Sequence, residues 1–180
     1  MLNDKDIRPA LKSWLEKKKP TPLKLLDEVR VSDGAAIADV VSIHKHMHCY
    51  EIKGQNDNFS RIENQMENYG ACFPKITLVV TQKHLESSFN YIPDFWGVIE
   101  VKNDDGLKFK YIRKAINNKL IKKDLLLSSL WKSELLEIHG VISNNPLPTS
   151  LSRKRIIDII EPKISTSMLT QLVAEKFMAR

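Results

Sequence analysis

The chain has 180 residues, 42% hydrophobic and 28% charged, with 6 Gly and 8 Pro, a composition that fits one ordinary folded domain with a modest extension and excludes fibrous or disordered classes. No apolar run reaches the roughly 20 residues of a membrane span, and the opening Met1-Leu2-Asn3-Asp4-Lys5-Asp6 is too acidic and polar for a signal peptide, so a cytoplasmic protein away from membranes is expected. The net charge of +6 is unevenly placed: residues 1–103 hold 14 basic and 14 acidic side chains, whereas residues 104–180 hold 14 basic against 8 acidic.

In chain order, Ile7, Leu11, Trp14 and Leu15 recur at helical spacing and predict an amphipathic helix over 5–18, ended by Pro20 and Pro22. Three extended segments follow over 25–31, 36–43 and 47–53, with Ser32-Asp33-Gly34 and Lys45-His46 as turns. A helix is expected over 57–70, where Phe59, Ile62, Met66 and Tyr69 share one face. The β-branched run 76–80 reads as a strand buried on both faces, 82–89 as a helix and 95–101 as a strand. Beyond Asp104 the pattern turns helical, over 124–139, 150–160 and 165–178. The expected fold is therefore an α/β core of order α-β-β-β-α-β over 1–103, with a basic helical extension over 104–180 packed on it.

The chemistry-bearing residues lie on the second and third strands. Side chains alternate along a strand, so Glu51 and Lys53 share one side of the sheet, and Asp39 joins them if the intervening hairpin centres on a single residue near Lys45 or His46 or if a bulge adjusts the register. Two carboxylates and the Ile52 carbonyl are hard oxygen ligands of the kind Mg²⁺ or Mn²⁺ prefers. Such a metal activates water for phosphodiester hydrolysis, and an ammonium such as Lys53 orients that water or stabilises the anion. On the following helix Arg61, Gln65 and Tyr69 fall at i, i+4 and i+8 and form one stripe.

With Asp39, Glu51-Ile52-Lys53 and Gln65-Met66-Glu67-Asn68-Tyr69 in that order and spacing, the sequence resembles the RecB-like branch of the PD-(D/E)XK nucleases. It looks closest to an uncharacterised bacterial and mobile-element family of that superfamily, through Tyr50, Asp57, Arg61, Thr77-Leu78-Val79-Val80, Pro93-Asp94-Phe95-Trp96-Gly97 and Leu130-Trp131-Lys132-Ser133. The resemblance implies a restriction-endonuclease-like core. It also implies a metal held by Asp39, Glu51, Ile52 and Glu28, with catalysis by Asp39, Glu51, Lys53 and Gln65. Nucleic acid, with DNA favoured, would be contacted by Arg61 and by Tyr69, which with Gln65 would support the site or touch DNA; read from the residues themselves, Arg153, Lys154 and Arg155 at a helix start either grip phosphates or are ordinary surface. The expected activity is that of a Mg²⁺-dependent phosphodiesterase, a deoxyribonuclease working alone, as a homodimer or recruited by a protein partner. The competing expectation is a non-catalytic nucleic-acid-binding or adaptor protein that keeps the fold. His44, His46 and His48 alternate at the expected hairpin tip without a Cys or carboxylate at ligand spacing, which reads as a solvated turn rather than a zinc site. Cys49 and Cys72 read as small packed residues of a reducing compartment.

Overall fold

The computed structural model describes residues 2–60 and 62–180, and of Glu63 the backbone alone. The elements are α1 (Asp4–Glu16), β1 (Lys24–Val31), β2 (Ala36–Ile43), β3 (Met47–Lys53), α2 (Ile62–Cys72), β4 (Lys75–Thr81), α3 (Gln82–Ser88), β5 (Gly97–Asn103) and β6 (Leu107–Arg113). Four helices then follow, α4 (Lys123–Leu127), α5 (Lys132–Ile142), α6 (Arg153–Ile160) and α7 (Thr166–Ala179). The six strands form one mixed sheet in chain order, antiparallel at β1–β2, β2–β3 and β5–β6 and parallel at β3–β4 and β4–β5. The fold is thus mixed α/β, with helices following the sheet.

Each face of the sheet buries its own cluster. On one face α1 lays Ile7, Leu11 and Leu15 against Val40, Tyr50, Ile52, Val79 and Ile99. Its start is fixed by a capping box in which Asn3 and Asp6 satisfy each other's backbone N–H groups. On the other face Ile62 and Tyr69 of α2, Leu126 of α4, Ile156 of α6 and Phe177 of α7 share one cluster with Ile76, Leu78 and Val80. Strand β4 is therefore covered on both sides, which is why it reads as an unbroken β-branched run.

The structure differs from the sequence expectation at three places. Residues 107–113 form β6 and extend the sheet into the part expected to be helical. The signal was present, since Leu107, Phe109 and Tyr111 alternate with Lys108 and Lys110 after a turn with positive φ at Asp105 and Gly106. The helix expected over 124–139 is interrupted, because the hydroxyls of Ser128 and Ser129 bond back to the Leu125 carbonyl at 2.7 and 3.3 Å. Trp131 is left 61% exposed under the Arg180 guanidinium instead of joining an apolar stripe. Finally, α2 starts at Ile62 rather than 57, as Asp57 accepts the Gly54 N–H at 2.8 Å and Asn58 accepts the Ser60 N–H at 3.0 Å. These turn bonds outcompete a helical start.

Candidate functional site

The β2–β3 hairpin sets the geometry. Its partners Val40↔Tyr50, Val41↔Cys49, Ser42↔His48 and Ile43↔Met47 centre the turn on Lys45. Past Val40↔Tyr50 the pairing stops, and Asp39 Oδ2 accepts the Ile52 N–H at 2.7 Å in place of a strand carbonyl. The other neighbour of Asp39 is irregular too, because Glu28 on β1 lies at φ 53 and is skipped in the β1–β2 pairing. Both strands open here, so the Asp39 carboxylate lies at a gap in the sheet.

Glu51 and Lys53 project from β3 towards α2, as their two-residue spacing requires. Glu51 is 2% exposed. Its Oε1 takes Lys53 Nζ at 2.8 Å and Gln65 Nε2 at 2.6 Å, and the Tyr69 hydroxyl lies 2.8 Å from Oε2. Gln65 Oε1 in turn accepts from Lys53 Nζ at 3.1 Å. Burial, then the nearby Glu51 charge, push the Asp39 carboxyl up to about 7 against the opposing pull of the Ile52 N–H.

The N-terminal segment closes the site. The Gln55 N–H donates to the Leu2 carbonyl at 2.9 Å, and a Cβ on Gly54 would lie 2.9 Å from that oxygen and from Asn3 Cα, so only glycine permits this approach. Asp4 thereby reaches the site, and Arg8 bonds Asp4 at 2.6 Å and lies 3.6 Å from Asp39 Oδ1. The result is a polar cavity of about 420 Å³ lined by Asp4, Asp39, Glu51, Lys53, Asp57 and Gln65, with Ile52 at its wall. Asp4 and Arg8 escaped the sequence reading, because only the tertiary fold brings α1 to this end of β3.

A family model described as Bacteriophage P4 protein cII matches residues 1–180. The chain belongs to that family. "Protein cII" of Enterobacteria phage P4 is 24% identical to it over 178 residues, which cover 96% of this chain and 66% of that protein. The chain therefore spans 66% of the length of this relative. No solved structure matches it. The expectation of a PD-(D/E)XK nuclease, and with it of a phosphodiesterase or hydrolase, is corrected by these matches: the family is that of cII, and neither match names a nuclease. The physical reason for the misreading is that alternate positions on a strand and i, i+4 positions on a helix gather side chains whatever the reaction.

Within this cII-family chain the residues singled out from sequence divide. Asp39, Glu51, Ile52, Lys53 and Gln65 line one cavity, whereas Glu28 is held by Arg8 at 3.0 Å and does not line it. Tyr69, expected at nucleic acid, is fully buried against Phe73 and Trp96 with its hydroxyl on Ile37 C=O and Glu51, and supports Glu51 from within. Arg153 is committed to Asp33 at 2.9 Å and to the Ser128 and Leu130 carbonyls, so it clamps α6 to the core rather than presenting a free charge. Lys154 and Arg155 are exposed. Arg61 lies outside the described residues. His48 is not a solvated turn residue, since its ring lies 2.7 Å from Thr77 Oγ1 and 3.2 Å from the Tyr50 hydroxyl. Cys49 and Cys72 are free and buried. Among the described residues no helix is long and apolar enough to cross a membrane.

His48 and Asp39 give acid stability two opposing slopes. Burial, then Lys75, lower His48 to about 3, so its contribution is present above its ordinary value near 6.5 and lost as pH falls towards 3. The raised Asp39 carboxyl contributes stability below about 4 that is lost as pH rises through 7. Urea midpoints in EDTA are expected to vary little between pH 6.5 and 5 for the wild type. Asp39→Asn should lose on the order of 1–2 kcal/mol over that interval and His48→Gln should gain a similar amount. Identical slopes in all three proteins would show that neither group is perturbed.

Proposed function

We propose that this chain is a nucleic-acid-binding protein whose acidic cavity takes a divalent cation, Mg²⁺ or Mn²⁺, that bridges to a phosphate. The observation that carries the reading is the meeting of Asp39, Glu51 and Ile52 in a cavity whose four carboxylates, with Asp4 and Asp57, face two cations, Lys53 and the Arg8 guanidinium that bonds Asp4 and lies 3.6 Å from Asp39. Among the described residues no three His, Cys, Asp or Glu side chains are gathered as a complete metal cage. A Mg²⁺ held here would keep several waters and bind through one or two carboxylates plus phosphate oxygens. Asp39 Oδ1 and the Ile52 carbonyl would supply the protein oxygens, while Lys53, Gln65 and Tyr69 hold Glu51 in place. The excess of basic residues in 104–180, exposed Lys154 and Arg155 among them, favours a polyanion as partner.

The test is fluorescence anisotropy of labelled single-stranded and duplex DNA with the full chain, in Mn²⁺ and in EDTA. Binding is expected to be at least about tenfold tighter with the cation, to weaken steeply with salt, and to return the probe at full length. Asp39→Asn should abolish the difference between the two conditions while leaving the salt-dependent part. Equal affinity in Mn²⁺ and EDTA for the wild type would end the cation reading, and no DNA affinity at low salt would end the nucleic-acid reading.

A further inference from the structure

A second cavity, of about 620 Å³, opens at the opposite end of the β2–β3 hairpin, beside the turn. Its rim carries Lys18 and Lys19 from the end of α1, Lys45 from the hairpin turn, Lys75 from the start of β4 and Lys114 from just beyond β6. No carboxylate lines it, and among the described residues none of the five lysines is ion-paired. Lys18 lies over the Trp14 ring and Lys19 bonds Thr21 Oγ1, contacts that leave their charge uncompensated. Some cations elsewhere are matched, as in Lys12 with Asp27, Lys176 with Glu137 and Arg180 with Glu134, and what marks these five is their place around one concavity that no carboxylate lines. Five ammonium groups from four stretches of chain around one concavity make a local positive field that favours an anion there.

The floor is of another character. Leu15, Pro20, Pro22, Met47 and Tyr111 give it an apolar surface suited to a ring. Ser42, fully buried in the wall beside the Tyr50 hydroxyl, has no hydrogen-bond partner of good geometry for its Oγ. An apolar body carrying several negative charges matches this division, and the volume is that of an ordinary small-molecule site. We infer that this cavity binds a phosphorylated nucleoside, either free or as the end of a nucleic-acid strand, with the five lysines on its phosphates and the apolar floor under its base.

The site is separate from the acidic cavity, so the two readings are tested apart. Calorimetric titration of the full chain with ATP, a 5′-phosphorylated oligonucleotide, adenosine and pyrophosphate is done in EDTA at low salt, which removes any cation bridge. ATP or the phosphorylated oligonucleotide should bind, adenosine should not, and pyrophosphate should bind more weakly because it lacks the base. Tighter binding of ATP marks the free nucleotide as ligand, and tighter binding of the oligonucleotide marks a strand end. Lys75 and Lys114 are exposed, so Lys75→Glu/Lys114→Glu should keep the wild-type melting midpoint and bind about tenfold or more weakly. Lys45→Glu should weaken binding by a smaller factor, whereas Lys5→Glu, exposed at the other end of α1, should leave it unchanged. Failure of both ATP and the oligonucleotide to bind, pyrophosphate binding as tightly as ATP, or wild-type affinity in the double variant would overturn the inference.

Discussion

Lys53→Ala is expected to lower the unfolding free energy by about 3–5 kcal/mol in EDTA at neutral pH, because it strands a buried carboxylate. Glu51 is 2% exposed, and its countercharge is Lys53 Nζ at 2.8 Å. Gln65 and Tyr69 would still donate to it, but they are neutral and cannot replace an ammonium. Urea denaturation reads the loss. Adding Mn²⁺ should recover part of it, since a cation that binds the folded state alone stabilises by mass action. Glu51→Gln combined with Lys53→Met removes both charges and should cost much less than Lys53→Ala, the non-additivity being the coupling of the pair. A wild-type midpoint for Lys53→Ala in EDTA would mean that Glu51 carries no buried charge.

Trp96→Ala should cost about 3–5 kcal/mol by the loss of apolar burial and the cavity left behind. The Trp96 side chain is fully buried at the start of β5, 6.3 Å between ring centroids from Tyr69, whose hydroxyl in turn meets Glu51. Its backbone is pinned by Arg113 Nε at 2.7 Å from the carbonyl oxygen. Room cannot be closed by a shift of β5, as a Cβ on neighbouring Gly97 would already lie 2.6 Å from Thr77 Oγ1. Thermal and urea midpoints should fall together. Because Tyr69 loses its neighbour, the difference in DNA affinity between Mn²⁺ and EDTA should shrink as well; a loss under 1 kcal/mol would show that the site collapses around the smaller side chain.

The strands β1 to β5 and the helices α1, α2, α3, α6 and α7 are all visible in the sequence, because each has the period its environment imposes. Residues 76–80 are apolar but for Thr77, since β4 is buried on both faces, and Ile7, Leu11 and Leu15 recur at helical spacing, since α1 buries one stripe. Local pattern also put Glu51 and Lys53 on one side of β3, but it made the joining of Asp39 conditional on the hairpin register, which the strand pairing settles by centring the turn on Lys45. What it did not fix was the family, because a cluster of two carboxylates and a lysine follows from strand spacing alone and carries no reaction with it.

Tertiary structure decided the rest. Asp4 and Arg8 reach the acidic cavity through the approach of the N-terminal segment to Gly54, a contact across some fifty positions that no local window contains. Glu28 and Tyr69 are withdrawn from the ligand and nucleic-acid roles that the resemblance implied, one by an ion pair with Arg8 of α1 and the other by burial on the inner face of α2 against Phe73 and Trp96. Charge shows the same division most plainly. Counted along the chain, residues 1–103 are neutral, yet Lys18, Lys19, Lys45 and Lys75 come from that part and meet Lys114 around one cavity. Sequence determines how many charges there are and the period on which they repeat, while the field they make depends on distances in space, which the packing of α1 against β2, β3 and β6 sets.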